Sequence, residues 1–199
     1  LLLIVTRVSW WGSPPSSSED VWRYLWDGER VSQGELVYIH PPHKLSGQSL
    51  SSEDIRLRIG HAHISTVYPP GAQHAFALSY QLSLLFGESI SSRLISWRCI
   101  TLLAELALLA ALLSICKMTY LPPASLILYV LCPFVPFESA LSAHLDIVGI
   151  SAMMIGIMMF MKNQIFLSGA LIGLAIMIKF IPLITLGLML MSYLKRGLR

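Results

Sequence analysis

Acids, an arginine and two tryptophans crowd into Glu19-Asp20-Val21-Trp22-Arg23-Tyr24-Leu25-Trp26-Asp27-Gly28. In a helix, Asp20, Arg23, Tyr24 and Asp27 fall at i, i+3, i+4 and i+7 and share one face. That face has the parts of a general base beside an anion-binding group. A carboxylate at Asp20, with Glu19 beside it, can take a proton from an acceptor within hydrogen-bond reach. Arg23 can grip a phosphate through two parallel hydrogen bonds. The same spacing also describes a solvated amphipathic helix, with Asp20–Arg23 and Asp27–Arg30 as ion pairs of ~0.2–0.5 kcal/mol each. Spacing alone leaves both readings open.

Other residues could join such a site. Tyr68 stands in Thr66-Val67-Tyr68-Pro69-Pro70-Gly71-Ala72-Gln73, just ahead of an apolar segment. Glu138, His144 and Asp146 cluster in another stretch bordered by apolar residues. Ionisable groups there are costly and usually face a cavity; the plainer role is interfacial capping, with Asp146 at the start of the next span. Lys179, in Ile178-Lys179-Phe180-Ile181-Pro182, must snorkel, meet an acid or bind an anion such as a lipid phosphate. Glu105 lies mid-span, and its default is a partner on another helix. His40, His43, His61 and His63 lack a fixed acid partner, which favours a solvated loop over a metal site. Cys99, Cys116 and Cys132 have no metal-type spacing and read as buried small hydrophobes.

These residues need a membrane frame. The 199 residues are 55% hydrophobic and 13% charged, with mean hydropathy +0.67, against roughly 25% charged in soluble domains. The expected fold is all-α, a polytopic transmembrane helical bundle with a long outer loop containing short amphipathic helices. Residues 1–10 read as the end of a first transmembrane helix, closed by Trp10-Trp11-Gly12-Ser13-Pro14-Pro15. Residues 11–70 form the external loop and hold seven of the eleven acids. Ser18 is the expected N-cap of a helix over 19–33, with Trp22 and Trp26 resting on the membrane surface. Residues 71–199 supply about five spans, near 71–87, 94–116, 121–136, 145–161 and 164–194, the last broken near Lys179–Pro182. Arg93, Arg98, Lys195, Arg196 and Arg199 read as cytoplasmic, which puts loop 11–70 outside. The chain opens without Met and ends on a basic run, so it reads as a fragment. A net charge of +3 without a basic stripe gives no sign of nucleic-acid binding.

Four strings together resemble a known family. Trp22-Arg23-Tyr24-Leu25-Trp26-Asp27-Gly28 is similar to the first-external-loop motif of GT-C membrane glycosyltransferases, closest to the polyprenol-phosphate-dependent mannosyltransferase-like proteins. The Thr66–Gln73 string, Ala143-His144-Leu145-Asp146 and Ile178-Lys179-Phe180-Ile181-Pro182-Leu183 resemble further elements of that family, in its order. After Gly28 the chain departs from the family's usual continuation and lacks its Asn-Pro step. The resemblance implies inverting transfer of a sugar, mannose by the nearest likeness, from a polyprenyl or dolichyl phosphate to an acceptor hydroxyl on a glycan or lipid. Asp20 matches the family's catalytic acid, with Glu19 as its neighbour. Arg23 and Lys179 would offset the leaving phosphate's charge. Asp27, Tyr68, His144 and Asp146 would help hold substrate or lipid phosphate. No cofactor is implied beyond the lipid-linked donor, although the resemblance leaves room for a divalent cation. The implied setting is a multi-pass protein of the cell (inner) membrane, in contact with its lipids, with the active site facing out.

Two other classes remain. A transporter or permease would use Glu105, Glu138, Asp146 and Lys179 as an ion path. A non-catalytic relative would bind lipid only. A loop of some sixty polar residues with clustered acids and tryptophans favours transfer chemistry over transport.

Overall fold

A computed structural model describes residues 2–16 and 18–197, which form ten α-helices and no strand. In chain order they are α1 (Leu2–Val8), α2 (Asp20–Ser32), α3 (Leu50–Leu57), α4 (Pro70–Ser83), α5 (Ile90–Met118), α6 (Ile127–Leu131), α7 (Phe134–Pro136), α8 (Asp146–Met161), α9 (Ile165–Ile178) and α10 (Pro182–Gly197). A π-helical turn, Phe137–Leu141, follows α7. The all-α expectation holds. Leu1 and the basic side chains of Arg196 and Arg199 lie outside the described residues.

Local chemistry starts these helices. The Ser18 hydroxyl accepts the Asp20 amide at 3.1 Å, so Ser18 caps α2 from one residue outside its N-terminal junction. Ser49 and Ser89 accept the amides of Ser52 and Ser92, both at 3.1 Å, at the starts of α3 and α5. Pro70 opens α4, where its missing N–H costs nothing.

Helix α2 is not a solvated face. Every residue from Val21 to Arg30 is buried, between α3, α4 and the first turns of α5. Trp22 and Trp26 belong to a core with Ile55, Phe76 and Trp97 and do not rest on a membrane surface. The guanidiniums of Arg58 and Arg30 lie over their rings, 5.0 and 4.3 Å from the centroids. The ion pairs differ from those expected at the surface. Arg23 turns to Asp27 at 2.8 Å, because a buried carboxylate needs a partner that exposed Asp20 does not. Arg30 pairs with Glu35 at 2.9 Å. At Gly28 a side chain would collide with the Phe76 carbonyl, so this glycine lets α2 and α4 approach closely.

Beneath this layer α8 packs on α5 and α9. Among the described residues only α5, with 29 residues, is long and apolar enough to cross a bilayer alone. The segments Pro123–Leu131 and Phe134–Leu141 pass that test as a pair bent by 59°. Helices α8, α9 and α10 are apolar but shorter. Helix α4 stops at Ser83 and lies along α2, and the chain between α9 and α10 breaks at Lys179-Phe180-Ile181.

The reading of Arg93 and Arg98 as lying on the opposite side from residues 11–70 fails. Arg93 donates to Glu29 of α2 at 2.9 and 3.2 Å. Arg98 donates to the carbonyls of Trp11, Ser13 and Leu141 at 2.6, 2.8 and 3.1 Å. Both cations are consumed inside the layer built by residues 11–70, so they mark its side of α5. Glu105 finds its cross-helix partner in Arg7, with a shortest contact of 2.7 Å, and accepts from Ser139 at 3.0 Å.

Candidate functional site

A cavity of about 290 Å³ opens at the N-terminal end of α2. Glu19, Asp20 and Arg23 line one side, Tyr68 another, and the turn from Ile59 to Ser65 supplies most of the rest. Glu19 and Asp20 are exposed, while the Arg23 side chain is 9% exposed. Two Arg23 nitrogens are committed: Nε to Asp27 at 2.8 Å and Nη1 to the Ile64 carbonyl at 2.9 Å. Its Nη2 is buried with no protein partner. A guanidinium with one donor still unpaired keeps a hydrogen bond that an anion can take.

Asp27 holds that arginine in place. Its Oδ2 accepts from Gln73 at 3.1 Å, and Gln73 also donates to Thr66 at 2.8 Å. Burial pushes the Asp27 carboxyl above the usual aspartate value, against the opposing pull of Arg23. Asp27 does not line the Asp20 cavity. It lines a neighbouring one of about 260 Å³ with Trp26, Arg30 and Glu35.

Aromatic side chains pack behind Tyr68. Tyr24 stacks on Phe76 at 4.6 Å and meets Tyr68 and Trp97 edge-on at 5.1 and 5.4 Å. Tyr24 and Leu145 belong to the same buried cluster, against which Tyr68 packs. Burial raises the Tyr68 phenol to about 12, with the charge of Asp20 adding to the effect. Burial drives Tyr24 further in the same direction. Both phenols therefore stay protonated and serve as hydrogen-bonding groups.

Leu145 belongs to the turn that carries a second group of candidates. Trp97 donates to the Ala143 carbonyl at 2.6 Å, and Ala143 adopts a left-handed φ of 53°. That conformation is costly for a residue with a Cβ and points to a turn fixed by its surroundings. His144 Nδ1 is bonded to Glu138, its Nε2 is buried without a partner, and Asp146 is paired with Lys179. His144, Asp146 and Glu138 line a cavity of about 250 Å³.

The structure thus sorts the candidates into two groups. Glu19, Asp20, Arg23 and Tyr68 share one cavity, with Asp27 behind Arg23. His144, Asp146 and Lys179 gather at the other. Tyr24 meets Tyr68 and shares a buried cluster with Leu145. Sequence reasoning gave no role to Tyr24, Gln73 or Trp97. A signal was present in each case: Tyr24 shares the Asp20 face, Gln73 closes the Thr66 string, and Trp97 precedes a buried arginine. His61 and His63 are exposed, with ring centroids 6.1 Å apart.

Residues 5–195 match the family model described as alpha-(1->6)-mannopyranosyltransferase, N-terminal domain. The chain belongs to this family. No curated protein and no solved structure matches it. Membership in the mannopyranosyltransferase family makes the protein an enzyme, a glycosyltransferase of the GT-C type that uses a lipid-phosphate sugar donor. It also indicates association with the membrane.

Proposed function

We propose that the Asp20 cavity is where sugar leaves the lipid phosphate and joins an acceptor hydroxyl. Asp20 accepts the acceptor's proton, with Glu19 beside it. The acceptor oxygen forms its bond to the anomeric carbon as the bond from that carbon to the phosphate oxygen breaks, so the configuration inverts. The lipid phosphate departs with the electron pair and needs positive charge, not a strong acid. Arg23 supplies that charge from one side; Lys179 and His144 lie toward the other. Tyr68 orients the reacting groups through its retained proton. Mannose is the sugar that family membership favours, and the acceptor is a glycan or lipid.

The observation that carries this reading is that Asp20 and Arg23 line one cavity and that Arg23 Nη2 has no hydrogen-bond partner. A transport path has less support. Glu105 is closed off against Arg7 and Ser139, while Glu138 pairs with His144 and Asp146 with Lys179.

The chain is read as multi-pass in the cell membrane, with residues 11–70 outside. Trp97 near the start of α5 bonds Ala143 just before α8, so these two helices start at one level and run the same way. Lys179 ahead of α10 pairs with Asp146 at the start of α8. Lys117, Lys162 and Lys195 then end α5, α8 and α10 at the opposite level, as cytoplasmic lysines do. The crossings are α5, the bent pair, α8, α9 and α10, with residues 1–10 as the end of a first one.

Asp20→Asn in the full-length protein is expected to abolish transfer from radiolabelled lipid-phosphate sugar in membranes while leaving expression intact. Wild-type transfer rates in that variant refute the assignment.

A further inference from the structure

The second cavity has an uncommon construction. Its walls are mostly apolar, including Leu108, Phe134, Val135, Ile147 and Ile150. Into this apolar wall the turn sets an imidazole held twice by one residue. Glu138 accepts the His144 amide at 2.9 Å through its carbonyl and bonds Nδ1 through its carboxylate. Glu138 lies in the π-helical turn, and such turns recur at functional sites. A carboxylate accepting from Nδ1 orients the ring, and the imidazolium form then has Nε2–H left to donate to an anion. Nε2 has no protein partner. At the rim, Lys179 shares its ammonium with Asp146.

We infer that this cavity receives the phosphate-proximal isoprenoid units of the lipid donor, with Glu138 as the positioning residue that turns His144 toward the donor phosphate. The inference rests on the donor chemistry given above. An apolar chamber with a fixed polar edge matches an amphiphile with a branched hydrocarbon stem and an anionic head. A volume of about 250 Å³, near the ~300 Å³ lower end for small-molecule pockets, suits the first units and not the whole lipid. Tyr68, which lines the Asp20 cavity, packs on the buried cluster that includes Tyr24, Trp97, Ala143 and Leu145, and the last two flank His144. The phosphate then lies between the two cavities, its sugar toward Asp20 and its stem toward Ile150.

The test uses the full-length protein in detergent and farnesyl phosphate bearing a terminal benzophenone. Photocrosslinks are expected within residues 134–150, competed by farnesyl phosphate and not by farnesol or inorganic phosphate at equal concentration. His144→Ala is expected to weaken farnesyl phosphate binding about 10- to 100-fold, the size of a lost hydrogen bond to a charged group. Glu138→Gln is expected to weaken it in the same direction and to raise KM for donor but not for acceptor. Ile150→Trp, which fills the chamber without touching the dyad, is expected to abolish crosslinking and serves if His144→Ala does not fold. Crosslinks mapping elsewhere, unchanged affinity in Glu138→Gln, or equal competition by inorganic phosphate each overturn the inference. Binding is read without turnover. An active Asp20→Asn enzyme would therefore sink the catalytic assignment and leave this result standing.

Discussion

Removing Arg93 tests whether the layer that presents Asp20 is held by charge. The Arg93 side chain is 1% exposed and that of Glu29 is 3% exposed, so the pair is almost fully desolvated. Two contacts join them, at 2.9 and 3.2 Å, and Ser52 adds a hydrogen bond to Glu29 at 2.6 Å. Tyr80 lies under the guanidinium, 4.9 Å from it. Arg93→Met leaves Glu29 with Ser52 alone. Stranding one member of a buried pair costs about 3–5 kcal/mol. For a chain of this size each kcal/mol moves the unfolding midpoint by roughly 2–4 °C, so the midpoint should fall by about 6–20 °C. Glu29→Met should cost a similar amount, because it strands Arg93. The double variant removes both charges and their desolvation penalties, and should lie well above the sum of the singles. Thermal unfolding in detergent, followed by fluorescence, suits the cycle because Trp22, Trp26 and Trp97 are core residues. Additive losses, with coupling under about 0.5 kcal/mol, would refute the claim that this pair clamps α2 to α5.

Gly28→Ala should destabilise the same layer by about 1–3 kcal/mol, since the new methyl meets the Phe76 backbone; a midpoint unchanged from wild type would show that α2 and α4 have room to part. Glu53 gives a pH dependence. The Arg56 guanidinium, followed by the Gly47 amide, holds its carboxyl at about 2 against an ordinary 4.5. A depressed folded value means its contribution is full above 4.5 and fades as pH falls toward 2. Hydrogen exchange at residues 45–58 should quicken over that window in wild type, and Glu53→Gln should flatten the response.

How far the sequence could be read depended on the range of the interaction. Helix α2 was legible to within a residue or so, because Ser18, Asp20 and the i, i+3, i+4 pattern are local signals. Its burial was not, because a helix with Arg23, Asp27, Glu29 and Arg30 reads as polar until their partners are known. Arg23–Asp27 and Arg30–Glu35 are local, but the other partners lie far along the chain: Glu29 meets Arg93 and Asp27 meets Gln73. For the same reason Arg93 and Arg98 read as loop cations, although acids and carbonyls consume them. For Lys179, flanked by apolar residues, the sequence left three outcomes open: snorkelling, an acid partner or a bound anion. That the acid is Asp146 came only with the fold.

The placement of Asp20 follows from these long-range pairs. A base on a mobile surface helix would waste most of its encounters, because transfer needs the reacting atoms held within a few tenths of an ångström. Here the body of α2 is locked by Gly28 against Phe76, by Glu29 against Arg93 and by Tyr24 in the cluster with Leu145, while its first turn stays open to the cavity. Arg98 ties Trp11 and Ser13 to Leu141. The approach to Asp20 and the approach to His144 are therefore fixed to the same helix, α5. Buried charge is a poor source of net stability, so four arginines inside one small layer call for another reason. Under the proposed function, they hold the Asp20 cavity and the His144 turn in register. Weakening any one of them should cost donor and acceptor alignment together.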